Sequence, residues 1–196
     1  MKNQICTILG GGGFIGRYLV RNLTKKNYRC IISTRKAFQK GYLKTQATPG
    51  AIELVDWNPN NFSELKEAIK NSDIVLDGTD NFEVRKIINK ACVKNKRKLI
   101  IGAVEGYTGQ LTSVITNDSP CYECTYENLI DTNSCSDSGV LAPLVGMISS
   151  MMAMECINII TGNKSSFDKK LFIVNGLNLS LDIIKTSNNP GCKVCE

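Results

Sequence analysis

Four consecutive glycines separate a short apolar segment from a helical one near the start of the chain. Residues 4–9, QICTIL, predict a buried strand, and residues 17–25 predict a helix. Glycines between a strand and a helix allow a tight turn and let a phosphate approach the helix N-terminus. The run fits both G-x-G-x-x-G and G-x-x-G-x-x-G, so the candidate nucleotide-binding positions are Gly10, Gly11, Gly13 and Gly16. The alternative is a glycine-rich connection that binds nothing.

Short apolar segments alternate with helical ones through much of the chain. Parallel strands need crossover connections, so this alternation predicts an α/β fold. We expect a doubly wound, Rossmann-like, mostly parallel sheet with a four-cysteine knuckle and C-terminal strands. The later predicted strands are 29–33, 51–57, 74–76, 171–175 and 179–184, and the later predicted helices are 61–70, a segment from Phe82, and 144–160. Residues 37–50 predict a loop with a short helix.

The end of the second predicted strand carries cations. A dinucleotide site that prefers an unphosphorylated ribose usually has an acidic residue at this point, whereas this chain has Thr34, Arg35 and Lys36. Arg35 therefore becomes a candidate contact for a ribose 2′-phosphate. The alternative is that both cations are simply solvated.

The turn after the strand at 74–76 contains two carboxylates, Asp77 and Asp80. A carboxylate at the carboxyl end of a parallel strand lies where open α/β sheets hold ligands. Asp80 and Asn81 are also good helix N-caps, so a capped strand-to-helix turn without ligand is the alternative.

Two C-x-x-C pairs stand far apart, Cys121 with Cys124 and Cys192 with Cys195. Four thiolates suit a closed tetrahedral zinc site, and each pair supplies two ligands from one tight turn. A redox dithiol predicts a single motif near a helix start, which two copies argue against. We predict a structural zinc site.

The other five cysteines fall into two groups. Cys135 lies in a polar segment without a partner at ligand spacing, so it is either an ordinary cysteine or a reactive thiol. The remaining four lie on apolar faces and are predicted to be core residues: Cys6, Cys30, Cys92 and Cys156.

Composition restricts the classes of function. Nine cysteines without an N-terminal secretory signal indicate a reducing compartment, and we expect a cytoplasmic protein. The absence of histidine excludes histidine-based catalysis and histidine metal ligands. The net charge of +6 suits an acidic partner, but the lysines are dispersed, so we expect no nucleic acid. The apolar stretch 140–154 ends at Glu155 and is too short to span a bilayer, so we expect no membrane.

Residues 1–75 resemble the atypical short-chain dehydrogenases, especially the NmrA-like and complex I accessory-subunit branch. The resemblance lies in LGGGGFIGRYLVRNL, in the basic STRK after the second strand, and in AIELVDWNPNN. It implies an NAD(P)-binding half that takes NADP(H), sometimes without turnover.

Residues 73–196 resemble the ThiF/MoeB/HesA group, which adenylates the C-terminal glycine of ubiquitin-like sulfur carriers. The matching pieces are LDGTDNF at 76–82 with Arg85 and Asn89, GYTGQ at 106–110, CYEC at 121–124, SCSDSGVLAPLVGMISSMMAMECINIITG at 134–162 and NPGCKVC at 189–195. This resemblance implies ATP and Mg²⁺ as cofactors, Asp80 as the magnesium ligand and Cys135 as the thiol of carrier exchange. It also implies a homodimer and a ubiquitin-like sulfur-carrier protein as partner.

The two resemblances meet at 72–75, within the fourth strand, so both halves are expected to form one continuous domain. The second group also has an acidic end to strand two and an Asn-Leu-x-Arg-Gln stretch, and residues 34–50 contain neither. We therefore expect carrier adenylation with reduced activity. The alternatives are an NADP-binding protein with little turnover and a non-catalytic, zinc-stabilised docking module for a carrier.

Overall fold

Strands and helices alternate in the computed structural model, which describes residues 4–59, 61–126 and 139–195. The strands are β1 (Ile5–Leu9), β2 (Arg29–Thr34), β3 (Ile52–Asp56), β4 (Ile74–Asp77), β5 (Lys98–Glu105), β6 (Thr108–Val114), β7 (Lys170–Asn175) and β8 (Ser180–Lys185). The helices are α1 (Phe14–Thr24), α2 (Phe62–Ile69), α3 (Phe82–Lys94), α4 (Tyr122–Tyr126) and α5 (Ala142–Ile160), with a 3₁₀ helix at Ala37–Gln46.

The described strands form one sheet in the order β3-β2-β1-β4-β5-β6-β7-β8. The first five in this order are parallel to their neighbours, and β6, β7 and β8 are added antiparallel. Chain order reverses between β1 and β4, which opens a crevice at the carboxyl ends of the parallel strands. This mixed sheet with its intervening helices confirms the predicted α/β fold class.

Neighbouring residues of the central strands point into different cores. Ile8 of β1 belongs to a core with α1 and α5, whereas Leu9 belongs to a core with α2 and α3. In β4, Leu76 faces the first core and Val75 the second. Strands buried on both faces explain the nearly continuous apolar runs of the sequence.

Two helix starts follow the local predictions. Asn61 caps α2, since its side chain accepts from the N–H groups of Ser63 and Glu64. Asn81 rather than Asp80 caps α3, accepting from Val84 N at 2.9 Å. The Asp80 carboxylate is therefore not used as the cap of this helix.

Two predicted boundaries differ from the structure, and one hairpin was not predicted. Helix α1 begins at Phe14 rather than at residue 17, so Gly16 lies inside the helix. A Cβ at this helical position would come 2.3 Å from Gly11 Cα, which only glycine avoids. Strand β8 begins after Leu179, whose φ of 57° belongs to a turn. The sequence analysis did not predict the β5–β6 hairpin, which turns at Gly106 with a φ of 53°.

Helix α5 is a core helix. It is the one helix among the described residues long and apolar enough to cross a membrane, but half of it is buried in the protein. Its Glu155 is fully buried and accepts hydrogen bonds from the Ser165 hydroxyl and from Ser166 N at 3.1 Å. These donors satisfy a carboxylate that would otherwise be costly to bury. The four cysteines predicted to be core residues, Cys6, Cys30, Cys92 and Cys156, are buried.

Candidate nucleotide site and metal centre

A cavity of about 720 Å³ lies at the carboxyl ends of β1, β2, β3 and β4. Four of the predicted nucleotide-site residues line it: Gly10, Gly13, Arg35 and Asp80. The structure thus brings together the glycine turn, the cationic end of β2 and the carboxylate after β4. These three features come from segments separated by up to 70 positions in the chain.

The glycine turn presents bare backbone to this cavity. Gly10 has a φ of 74°, and a Cβ there would come 3.0 Å from Gly78 O, so the turns after β1 and β4 touch. Gly13 stands at the N-cap of α1 and offers no side-chain cap. The first N–H groups of α1 are therefore available for an anion such as a phosphate.

Gly11 and Gly16 have a different task from the cavity-lining glycines. A Cβ at Gly11 would come 2.3 Å from Ile32 Cγ2, and one at Gly16 would come 2.3 Å from Gly11 Cα. Both residues are buried, so they allow α1 to pack closely on the sheet. Close packing is the role of the last glycine in the dinucleotide fingerprint.

The β4–α3 turn contains one buried carboxylate, Asp77, and one exposed carboxylate, Asp80. Asp77 is fully buried and accepts from Thr79 N at 2.9 Å and from Thr79 Oγ1 at 2.7 Å. Burial raises the pKa of Asp77, although nearby Arg85 acts to lower it. Arg85 donates to Thr79 O at 2.8 Å and braces the turn from the helix side. Asp80 is exposed on the cavity wall and remains available to a cation.

Three cations line the same cavity as Asp80. Arg35, Lys36 and Lys40 line it, and none of them is in an ion pair with any residue that the structure describes. The 3₁₀ helix that carries Lys40 is held by Asp56, whose Oδ1 accepts from Ala37 N at 2.7 Å. A Cβ at Gly12 would come 3.1 Å from Lys40 Cε, so Lys40 lies over the glycine turn.

Two buried polar atoms at the cavity wall lack a protein partner among the described residues. They are Ser33 Oγ and Trp57 Nε1, and both residues line the cavity. Buried polar groups are rarely left unsatisfied, so a ligand or water is the expected partner. The sequence analysis missed both residues, because only the fold brings the end of β3 beside the end of β2.

The four knuckle cysteines meet in one cluster. Their sulfur atoms all lie within 4.8 Å of one another. Individual separations are 3.8 Å for Cys121 with Cys124, 3.6 Å for Cys121 with Cys192, and 3.4 Å for Cys124 with Cys195. Sulfurs about 2.3 Å from one tetrahedral centre would lie about 3.8 Å apart, so this donor set fits Zn²⁺.

Hydrogen bonds from elsewhere hold the knuckles. Asn89 Oδ1 accepts from Tyr122 N at 3.0 Å, and Cys124 Sγ accepts from Asn189 N at 3.4 Å. Burial raises the pKa of Cys121 to about 11, while the Asn89 side chain acts to lower it. Burial also opposes ionisation of Cys192, but backbone N–H groups outweigh it and lower the pKa of that thiol. Metal binding at such thiols releases protons and is therefore pH-dependent.

Cys135, the candidate thiol of carrier exchange, lies outside the described residues. The nearest described residue before it, Tyr126, donates from its hydroxyl to Gln110 Oε1 at 2.6 Å.

These features define a class of protein: a mixed α/β fold with a glycine-rich turn at the carboxyl ends of its parallel strands and a cluster of four cysteines. Comparison with known families is more specific. The ThiF family matches residues 43–194, and the NAD dependent epimerase/dehydratase family matches residues 6–79. The chain belongs to the ThiF family. The match to the second family agrees with the resemblance of the first half to short-chain dehydrogenases.

Curated relatives match the chain over about two thirds of its length. It is 37% identical over 136 residues to the molybdopterin-synthase adenylyltransferase of Escherichia coli, covering 68% of this chain and 54% of that protein. It is 37% identical over 134 residues to the adenylyltransferase and sulfurtransferase MOCS3 of Dictyostelium discoideum, covering 66% of this chain and 32% of that protein. The chain therefore spans about half or less of these relatives.

Solved structures share the fold over the entire chain. The microcin C7 biosynthetic enzyme MccB in complex with N-formylated MccA superimposes with a TM-score of 0.84 at 17% identity, covering 100% of this chain and 68% of that one. A crystal structure of E. coli MccB with ATP gives a TM-score of 0.81 at 18% identity, with 100% and 67% covered. At such identities the likeness shows the fold alone.

Proposed function

We propose that this chain adenylates the C-terminal carboxylate of a ubiquitin-like sulfur-carrier protein, with ATP and Mg²⁺ as cofactors. ThiF family membership supports the reaction class, as do relatives named adenylyltransferases. The observation that carries the proposal is the position of Asp80. Its exposed carboxylate lines the same cavity as the glycine turn and the cations Arg35, Lys36 and Lys40.

Each part of the cavity has a task in this reaction. The uncapped N-terminus of α1 receives phosphate oxygens, and Lys40 adds positive charge above the glycine turn. Asp80 would hold Mg²⁺, which proteins usually bind through one or two carboxylates together with substrate phosphates. When bound, the metal offsets the repulsion between the carrier carboxylate and the phosphates. The carboxylate oxygen bonds to the α-phosphorus, and pyrophosphate leaves with the electron pair.

Asp77 and Arg85 act as positioning residues for Asp80. Asp77 holds the turn from inside through Thr79, and Arg85 holds it from α3 through the Thr79 carbonyl. Preorganised charges act best when their own hydrogen bonds fix them beforehand. The turn therefore presents Asp80 without further rearrangement.

A second cavity, of about 350 Å³, offers a path for the carrier tail. It lies at the carboxyl end of β5, and its wall includes Arg85, which also holds the Thr79 carbonyl of the β4–α3 turn. Thr108 and Gln110 provide polar groups for an extended backbone there. A tail ending in glycine suits this narrow space, because it brings no side chain to the reacting carboxylate.

The cysteine cluster has a structural task in this proposal. Structural zinc binding in small knuckles contributes on the order of 10 kcal/mol of folding free energy, so one ion would fix the C-terminal segment to α4. Thiolate ligands require reduced cysteines, so we propose a cytoplasmic location for the chain.

A homodimer belongs to the same proposal. Helices α1 and α5 pack together and expose large apolar side chains, among them Phe14, Tyr18, Met147 and Met154. Covering such side chains with the same surface of a second copy would remove them from water. Sedimentation of the M147E/M154E variant as a monomer, beside a dimeric unmodified chain, is the expected result.

The proposed activity is low. Residues 34–50 lack the acidic strand end and the Asn-Leu-x-Arg-Gln stretch that the family resemblance implies for ATP binding. Loss of one charge-stabilising contact typically costs two to three orders of magnitude in rate. Part of the missing positive charge is supplied from a different segment, by Arg35, Lys36 and Lys40.

A second candidate function is NADP(H) binding with little turnover. Arg35 and Lys36 line the cavity at the end of β2, where a ribose 2′-phosphate would lie. A charge-assisted contact there is worth about 1.5–3 kcal/mol, so Arg35→Ala would narrow a preference for NADPH over NADH. Equal affinities for the two dinucleotides in titration calorimetry would eliminate this candidate. A third candidate, a carrier-docking module without catalysis, predicts carrier binding without pyrophosphate exchange.

One experiment separates these candidates. Carrier-dependent exchange of labelled pyrophosphate into ATP is measured for the unmodified chain, for Asp80→Ala and for Asp118→Ala, an exposed control carboxylate away from the cavity. Slow exchange that Asp80→Ala abolishes and Asp118→Ala preserves is expected. Exchange that survives in Asp80→Ala would contradict the proposed role of this residue. A larger rise in melting temperature with NADPH than with ATP would favour the second candidate.

A further inference from the structure

A separate cavity lies at the opposite end of the strands from the nucleotide site. It has a volume of about 470 Å³ and lies between the end of α3, the segment after β6 and the C-terminal knuckle. Strand β5 begins and the antiparallel β6 ends beside this cavity, at Lys98 and Val114. Asp80 follows the carboxyl end of β4, which is parallel to β5, so it lies at the other end of the strands. We refer to it as the basic pocket.

The basic pocket is surrounded by positive charge. Its lining includes Lys90, Lys94, Lys96, Arg97 and Lys193 and contains no Asp or Glu. None of the four lysines is in an ion pair among the residues that the structure describes. Like charges collected around a concave surface focus the potential and raise the local concentration of anionic partners.

Arg97 gives this charged rim a rigid part. Its guanidinium donates to Ser72 O at 3.2 Å and to Lys70 O, so the side chain is held against the end of α2. The ligand side of the pocket therefore combines one fixed cation with four exposed lysines.

The floor of the pocket is apolar. Val93, Val114, Ile115 and Val194 line it, and none of the lining residues is aromatic. Single-stranded nucleic acids are usually held by bases stacked on aromatic side chains, which this lining lacks. An apolar floor with a cationic rim instead matches a peptide that carries one apolar side chain between carboxylates.

We propose that the basic pocket docks an acidic peptide segment of a partner protein through one apolar anchor side chain. The carboxylates of the segment pair with the lysines on the rim, and the anchor enters the valine- and isoleucine-lined floor. This proposal does not depend on adenylation, because the pocket shares no residue with the nucleotide cavity.

The cysteine cluster connects docking to the metal. Lys193, Val194 and Cys195 form one wall of the pocket, and Cys195 is also a member of the four-cysteine cluster. Closing the knuckle fixes this wall in place. Removal of the metal is therefore expected to weaken docking, because this wall would no longer be fixed.

The test uses a fluorescein-labelled nonapeptide of alternating Asp and Glu with a single central Leu, followed by anisotropy. K94E/K193E is expected to weaken binding at least tenfold. K25E/K26E, which makes the same charge change at exposed positions just after α1, is expected to change it less than twofold. Replacing the central Leu of the peptide by Ser is expected to weaken binding about tenfold. K94Q/K96Q serves as the milder variant. An unchanged far-UV circular dichroism spectrum and an unchanged melting temperature without nucleotide verify the folding of each protein.

Three results would overturn the proposal. One is equal weakening by K94E/K193E and K25E/K26E, which would indicate general electrostatic attraction. Another is equal affinity for the Leu and Ser peptides. The third is tighter, lysine-dependent binding of a labelled single-stranded RNA of the same length, which would assign the pocket to nucleic acid. Loss of carrier-dependent pyrophosphate exchange in Asp80→Ala with peptide binding retained would separate the two proposals.

Discussion

The side-chain oxygen of Asn89 accepts a hydrogen bond from the backbone N–H of Tyr122 at 3.0 Å, and this contact ties α3 to the first cysteine knuckle. One helical turn earlier, Arg85 binds the carbonyl of Thr79 and ties the same helix to the turn that presents Asp80. Helix α3 thus forms a rigid connection between the candidate nucleotide site and the candidate metal centre.

Asn89→Ala tests the metal end of this connection. The variant removes the hydrogen bond that Tyr122 N donates to Asn89, and we expect it to lower the free energy of unfolding by about 1 kcal/mol. Loss of an outer hydrogen bond to a ligand turn typically lowers metal affinity 10–100-fold. Competition with a chromophoric zinc chelator measures this affinity, and the Co²⁺-substituted absorption spectrum reports the thiolate geometry. Asn22→Ala on α1 is the control, and equal zinc affinity in both variants would remove Asn89 from this role.

Cys192→Ala tests the cluster itself. Three thiolates cannot close a tetrahedral site, so the variant is expected to lose the metal and much of its thermal stability. Elemental analysis of the purified protein is expected to find one zinc per unmodified chain and none in the variant. Cys30→Ala is the control, because Cys30 is a buried core cysteine outside the cluster and its loss leaves zinc content unchanged. Unmodified, fully reduced protein without zinc would refute the prediction.

Asp77→Asn tests the cost of a buried carboxylate. Burial raises the pKa of Asp77 in the folded protein above its ordinary value of 3.8, so the folded state binds this proton more tightly than the unfolded state. Ionisation therefore costs stability as pH rises from 3.8 towards the folded pKa, by at most about 1.4 kcal/mol per pH unit. Asn keeps an acceptor for Thr79 but carries no charge.

Urea unfolding at a series of pH values measures this effect. The stability of Asp77→Asn relative to the unmodified chain is expected to increase as pH rises above 3.8 and to become constant above the folded pKa of Asp77. Asp118→Asn, at an exposed position, is expected to show no such trend. A relative stability that falls with pH would mean that Arg85 and Thr79 outweigh burial.

Two glycine substitutions test whether some glycines of this turn serve helix packing and others serve nucleotide binding. A Cβ at Gly16 would meet the backbone of Gly11, which cannot move aside, so Gly16→Ala is expected to destabilise the protein by about 3 kcal/mol, the upper end of the usual range for overpacking. A Cβ at Gly12 would meet Thr34 Oγ1 at 2.9 Å and the flexible end of Lys40. Gly12→Ala is therefore expected to fold but to bind nucleotide weakly.

Melting temperatures with and without ATP separate the two effects. Gly41→Ala is the control, because a Cβ there meets nothing within 4 Å. A Gly16→Ala protein as stable as this control would show that α1 can move away from the sheet.

Features that depend on neighbours in the chain were determined by the sequence. The strand–glycine–helix pattern, the C-x-x-C pairs and the cap candidates after β4 each lie within a few residues, where backbone geometry and hydrogen bonding act directly. The alternation of apolar and helical segments similarly indicated a parallel sheet, because strands buried on both faces have nearly continuous apolar sequences.

Features that depend on pairing between distant segments were decided by the tertiary structure. The fold brings Cys121 within 3.6 Å of Cys192, 71 positions away. It also buries Asp77 and exposes Asp80, although both are carboxylates in one turn. The turn around Gly106 and the place of Trp57 at the cavity likewise depend on strand order. Local sequence cannot specify these features, because the free energy that decides them comes from contacts that form only when the complete sheet has assembled.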